Sequence, residues 1–292
     1  MDQQGHPFGA VGTDEQLVFT ALSTHFTVTA SDDDVLRYCR RLMRALPCGE
    51  PEPGRDERGS YVLTGPAADA LATLFRNGEF VRAAPTSAGL VVALGNDVNR
   101  MAVTQSRFLT LHAGGVEHDG VGVILPASME SGKTTLTAGL VRAGLNYLTD
   151  EAVAFDWETH VIQPYPKPLF LDPGSWHLFP ELEPHADLPT DDYKTEQWHV
   201  PPEDIRLGSV GSPCTLGFIL FPKYEAGSET CLQPISKGEA LVELSKNTFG
   251  FNQQSRRNLE HLARIVRQAD CYRLPMGRLE QAVSLVASLI RL

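Results

Sequence analysis

The chain has no Cys-x-x-Cys pair, no excess of basic residues and no apolar run approaching a membrane span, and each absence closes a class of function. Its five cysteines (Cys39, Cys48, Cys214, Cys231 and Cys271) are odd in number and widely spread, which reads as reduced thiols in a cytosol. Acidic residues outnumber basic ones by 36 to 25, and a net charge of −11 argues against nucleic acid or an anionic membrane as a general partner. It leaves room for a local basic pocket. A spanning helix takes about 20 apolar residues, and none is present. Met1 to His6 carry neither a basic nor an apolar signal region, so the expected location is cytoplasmic. What remains is the composition of an ordinary globular protein: 292 residues, 42% hydrophobic and 21% charged, enough for one large domain or two smaller ones.

Residues 1–100 read as a small α/β unit. Leu17 to Leu22 and Phe26 to Ala30 have strand content, and Ser31 to Asp34 offers a capping box to a helix carrying Val35, Leu36, Cys39, Leu42 and Met43. A polar loop over 47–59 leads to a strand at Tyr61 to Leu63, a helix at Ala67 to Phe75 and a strand at Leu90 to Leu94. No chemistry is expected here, and His6 and His25 read as surface or structural residues. Residues 101–292 differ in character. Two apolar runs, Phe108 to Val116 and Val121 to Leu125, flank Asp119-Gly120, a hairpin signal. Later come strands at Ala152 to Phe155 and Leu216 to Phe221, then helix, helix, strand and helix to the end. The acidic, proline-rich stretch 172–204 has little periodicity and is expected to be a lid, a substrate loop or local disorder.

The most informative stretch is Ser131-Gly132-Lys133-Thr134-Thr135, set between an apolar strand and a helical pattern. In that context it reads as a phosphate-binding loop entering a helix. Backbone N–H groups at the helix start face an anion, Lys133 adds charge, and the Thr134 hydroxyl can hold Mg²⁺. The full pattern wants glycine where Ala127 stands, and Glu130 must point outward or serve the metal. The implied ligands are ATP and Mg²⁺.

Phosphoryl transfer also needs a proton acceptor and a metal-binding carboxylate near the attacking oxygen. Asp150 and Glu151, at the edge of a strand one helix and one turn after the loop, can divide those jobs. His112 lies in Leu111-His112-Ala113-Gly114-Gly115, where small neighbours leave room for approach. A lone histidine there also fits a satisfied core residue.

The order His112, hairpin, phosphate loop, helix, Asp150-Glu151 resembles the catalytic domain of HPr kinase/phosphorylase and its relatives. The matching text is Leu111-His112-Ala113, Gly132-Lys133-Thr134 and Tyr147-Leu148-Thr149-Asp150-Glu151, within 107–156. The resemblance implies an α/β fold with a P-loop core of the HPr kinase/phosphoenolpyruvate carboxykinase type over 101–292, behind the small N-terminal α/β unit. It implies Asp150 as the base toward a serine hydroxyl, with His112 assisting or sensing the phosphate. Ser131, Gly132, Lys133, Thr134 and Thr135 would bind the nucleotide, and Thr134 and Glu151 the Mg²⁺. Lys167 and Lys223 are secondary candidates for phosphate or substrate contact. The glycine- and arginine-rich signature of true HPr kinases is absent, so the implied acceptor is a serine in a peptide or small protein, as in kinases of lasso-peptide precursors. Two other readings stand beside this one: a small-metabolite kinase, and a nucleotide-binding regulatory protein without turnover.

Overall fold

A computed structural model describes residues 15–48, 57–65, 71–128, 130–184 and 197–291. The fold is mixed α/β, with two main sheets. The first holds β1 (Leu17–Ala21), β2 (Thr24–Ala30), β3 (Glu57–Thr64), β4 (Ala72–Arg76) and β5 (Glu79–Ala84), in that order. β2 and β3 run parallel, joined through α1 (Asp33–Met43), and the remaining neighbours are antiparallel. The α1 cap is Asp32, whose carboxylate accepts the Asp34 N–H, while the Ser31 hydroxyl accepts the Gly65 N–H. The expected capping box is therefore replaced by a single-residue cap.

Two further expectations in this unit are overturned. Residues 72–75 were expected in a helix but form β4, where Ala72 and Leu74 alternate into the core at strand period. Residues 90–94 were expected as a strand but lie inside α2 (Ser87–Thr104), capped by Thr86. Leu90, Leu94, Val98 and Met101 recur at three- and four-residue intervals along its buried face, a pattern wider than the short run that suggested a strand. Expected helix residues 67–70 lie outside the described residues. His25 is buried, with Nδ1 2.9 Å from the Thr20 hydroxyl, a structural place; His6 is outside the described residues.

The second sheet begins with β6 (Leu109–His118) and β7 (Val121–Pro126), a hairpin through Asp119 and Gly120, both with positive φ. That pair of left-handed residues is what a tight hairpin turn requires. α3 (Lys133–Arg142) follows, then β8 (Asn146–Thr149), β9 (Ala152–Phe155), β10 (Ile162–Gln163) and β11 (Leu169–Leu171). After α4 (Pro173–Trp176), β12 (Trp198–Val200) and α5 (Pro202–Ile205) come β13 (Thr215–Tyr224), β14 (Gln233–Pro234), α6 (Lys237–Lys246), α7 (Ser255–Gln268), β15 (Asp270–Met276) and α8 (Leu279–Ile290). Strand order is β10-β9-β6-β7-β13-β15-β14, with β8 also on β6, and β7, β13 and β15 parallel.

Alternation explains why this sheet is covered twice. Val123, Leu125, Leu220 and Leu274 pack with α3 and α8, whereas Ile124, Ile219 and Cys271 pack with α6 and α7. Both faces of the parallel strands are thus buried, as such strands require. Fully burying each Val, Leu or Ile side chain contributes about 1.5–3 kcal/mol. The described parts of 172–204 also join the core, through Leu182 and the stacked rings of Trp176 and Trp198, 4.8 Å apart. Residues 185–196 of the stretch expected as a lid, a substrate loop or local disorder lie outside the described residues. Tyr165 and Ala152 join the first sheet's core, so the two parts of the chain meet directly. Among the described residues no helix is long and apolar enough to cross a membrane.

Candidate functional site

The turn between β7 and α3 sits at the carboxyl ends of β7, β13 and β15, the edge where open α/β sheets bind ligands. Gly132 adopts φ +85°, a left-handed conformation open to glycine at no cost, and its carbonyl starts the helix by accepting the Leu136 N–H. Glu130 is also left-handed, at φ +62°, and is exposed, so its carboxylate stands outside the turn. The Tyr224 N–H donates to the Ser131 carbonyl at 3.1 Å, tying the turn to β13. Gly114 lets β6 approach: a Cβ there would lie 2.5 Å from Thr137 Oγ1 and 3.3 Å from Lys133 Cγ.

β6 carries the opposing side chains. β8 and β9 both run antiparallel to it, and the register slips between Gly115 and Val116, leaving Leu148 as an extra residue. Such irregularities re-aim side chains. The Thr149 hydroxyl then accepts the N–H groups of Glu151 and Ala152, each at 3.2 Å, and holds the bend at Asp150-Glu151. The Glu151 carbonyl accepts the Ala113 N–H, so the bend lies against the His112 end of β6.

The side chains form a continuous series. Lys133 Nζ lies 2.7 Å from His112 Nε2, and Glu151 Oε1 lies 3.7 Å from the same nitrogen. An ammonium only donates, so Nε2 accepts and the neutral imidazole carries its proton on Nδ1. Burial and then the Lys133 charge hold the His112 pKa below its ordinary value, with Glu151 and Asp150 opposing. Burial likewise lowers the Lys133 pKa, against the pull of the same two carboxylates.

Deeper lies a second pair. Lys167 Nζ is 2.7 Å from Asp150 Oδ1, with both residues almost wholly buried. The Tyr147 hydroxyl donates to Asp150 Oδ1 at 2.9 Å, and burial followed by the Asp150 charge raises its pKa well above normal. Lys167 also donates to the Pro168 carbonyl at 3.0 Å and lies 4.2 Å from the centre of the Phe170 ring. Tyr165 N–H donates to the Leu148 carbonyl, running the proline-framed stretch 164–168 alongside β8.

The structure therefore gathers His112, Lys133, Asp150 and Glu151, with Ser131, Gly132, Thr134 and Thr135 at the helix start. It adds Lys167 to the same cluster. Lys223, next to Tyr224 at the end of β13, is exposed and paired with Glu225. Sequence reasoning gave Tyr147 no role; its spacing three residues before Asp150 was the available signal.

Phosphate fits the turn on one specific observation. The Ser131 hydroxyl oxygen is shut from solvent yet has no hydrogen-bond partner among the described residues. Buried polar groups are normally paired, so this hydroxyl has hydrogen-bonding capacity to spare at the turn. Among the described residues no three His, Cys, Asp or Glu side chains form a metal cage. A divalent ion would be held by the Thr134 hydroxyl and Glu151 together with phosphate, the habit of Mg²⁺.

No family model and no curated protein matches the chain. Among solved structures, the HPr(Ser) kinase/phosphatase from Coxiella burnetii is similar over 62% of this chain and 93% of that one, at 12% identity and a TM-score of 0.33. At that score the likeness by itself assigns neither fold family nor reaction.

Proposed function

We propose that the protein is an ATP- and Mg²⁺-dependent kinase acting on a hydroxyl, the serine of a peptide or small protein. The carrying observation is the cluster in which Lys133, at the tip of α3, meets His112 and Glu151 beside the buried Asp150–Lys167 pair. Bound Mg·ATP would supply the phosphoryl group and part of the charge neutralisation. The helix-start amides, the Ser131 hydroxyl and Lys133 hold phosphate oxygens. Thr134 and Glu151 hold the cation. Asp150 accepts the proton of the incoming hydroxyl, and Lys167 and Tyr147 fix its carboxylate in place. His112, kept neutral by burial, accepts from Lys133 and positions it.

The test is mass spectrometry of products after incubation with ATP and candidate peptides, beside calorimetry with Mg·ATP. Asp150→Asn is expected to retain Mg·ATP affinity and to lose transfer; wild-type turnover in that variant would remove Asp150 as the base. One observation favours a second reading, a nucleotide-binding regulatory protein: Asp150 Oδ1 is already engaged by both Lys167 and Tyr147. Binding of Mg·ATP without ADP formation, with acceptors present, would select it.

A further inference from the structure

The loop–helix turn has neighbours on both sides along the sheet. Toward β6 and β9 stand His112, Asp150 and Glu151. On the other side the chain leaves β13 at Tyr224 and β15 at Met276, and both exits touch the turn. A Cβ on Gly132 would lie 3.3 Å from Met276 Cε and from Tyr224 Cβ. Immediately beyond these exits, segment 227–230 and turn 277–278 border a groove of about 970 Å³, whose other wall is α8.

The two exits are laced together. The Glu225 N–H donates to the Met276 carbonyl at 3.0 Å, and the Gly277 N–H donates to Thr230 Oγ1 at 3.0 Å. A Cβ on Gly277 would lie 2.0 Å from the Ser228 carbonyl oxygen, so only glycine permits this approach. Within the groove's border the Ser228 hydroxyl oxygen is shut from solvent and has no hydrogen-bond partner among the described residues. That is the condition of the Ser131 hydroxyl in the turn. The turn and the groove thus meet at the Tyr224–Met276 contact, one on each side of it.

We infer that this groove is the nucleoside subsite, holding the ribose and base of the triphosphate whose phosphates lie at the turn. The inference rests on the nucleotide reading of that turn. It also fixes the ligand's direction. Strands β6, β7, β13 and β15 are successive neighbours. Three strand spacings make about 14 Å, a span that an extended nucleoside triphosphate covers with its last phosphate on the His112 side. The lining matches the chemistry: Thr230, Glu229 and Glu280 offer hydrogen-bonding oxygens to a ribose diol, and the flat guanidinium of Arg278 offers a stacking face to a base.

Calorimetry of the full chain with Mg²⁺ and either ATP or inorganic tripolyphosphate tests this. Ser284 and Gln281 are exposed on the α8 wall, away from the core and the turn. Wild-type protein is expected to bind ATP more tightly than tripolyphosphate. Ser284→Trp, and separately Gln281→Trp, should fill the groove and weaken ATP at least about tenfold, equivalent to about 1.4 kcal/mol, leaving tripolyphosphate affinity unchanged. Retained tripolyphosphate affinity also certifies that each variant is folded. ATP binding no tighter than tripolyphosphate, or unaffected in both variants, overturns the subsite while leaving the phosphate turn standing. Failure of wild-type protein to bind either probe overturns the nucleotide reading and the subsite with it.

Discussion

Replacing Lys167 with methionine isolates the buried pair at the base of the site. The unbranched methionine side chain follows the course of the lysine stem, so packing against Phe170 changes little, while the Asp150 carboxylate loses its cation at 2.7 Å. Lys167 is 4% exposed and Asp150 2%, so water cannot replace the missing charge. Removing one member of such a pair costs about 3–5 kcal/mol. The lost ammonium–ring contact adds up to about 2 kcal/mol in a desolvated setting. At about 2–4 °C per kcal/mol for chains near this size, the melting midpoint should fall on the order of 10 °C. Urea unfolding, with the slope against denaturant unchanged, measures the free energy directly. Lys167→Met/Asp150→Asn should regain most of the loss, because the amide oxygen still accepts from Tyr147 and no buried charge is left alone. A loss below about 1 kcal/mol in the single variant, or a double variant as unstable as the sum of the two singles, would refute the coupling.

Lys133→Met should abolish tripolyphosphate binding and raise the His112 pKa toward its ordinary value, since the Lys133 charge is one of two causes holding it down; imidazole NMR titration that finds no rise would disprove the contact. His199 is buried beside Phe170, and burial followed by the Lys167 charge takes its pKa from 6.5 to about 4. Between those values the unfolded chain binds the extra proton, so stability is full above pH 6.5 and falls by about 3 kcal/mol as pH drops toward 4. His199→Gln should flatten that part of the stability–pH curve, and an unchanged slope would exclude His199 as its source. Gly114→Ala should push the first turn of α3 from β6 and destabilise the fold by about 1–3 kcal/mol, with weaker phosphate binding by calorimetry; wild-type stability and affinity would show that the close approach is unnecessary.

Legibility followed range. Asp119-Gly120 and the Gly132-Lys133 turn are short-range signals, and they appear where local chemistry demands them, whereas the capping box expected of Ser31 and Asp34 gave way to an Asp32 cap. Short apolar runs were less decisive. Residues 72–75 and 90–94 fit helix or strand until neighbours choose, and β4 exists because β3 and β5 supply its hydrogen bonds.

The sequence by itself determined that a helix begins at Lys133 behind a glycine turn, and that Asp150 and Glu151 stand at the edge of a strand one helix and one turn later. Backbone sterics and hydrogen-bonding periodicity act over a few residues and suffice for that. Only the tertiary structure decided that Lys167 neutralises Asp150, that His112 receives Lys133, and that segments 227–230 and 277–278 meet beside the turn. Those relations depend on which strands become neighbours and which charges lose their water, and both follow from burial of the whole chain.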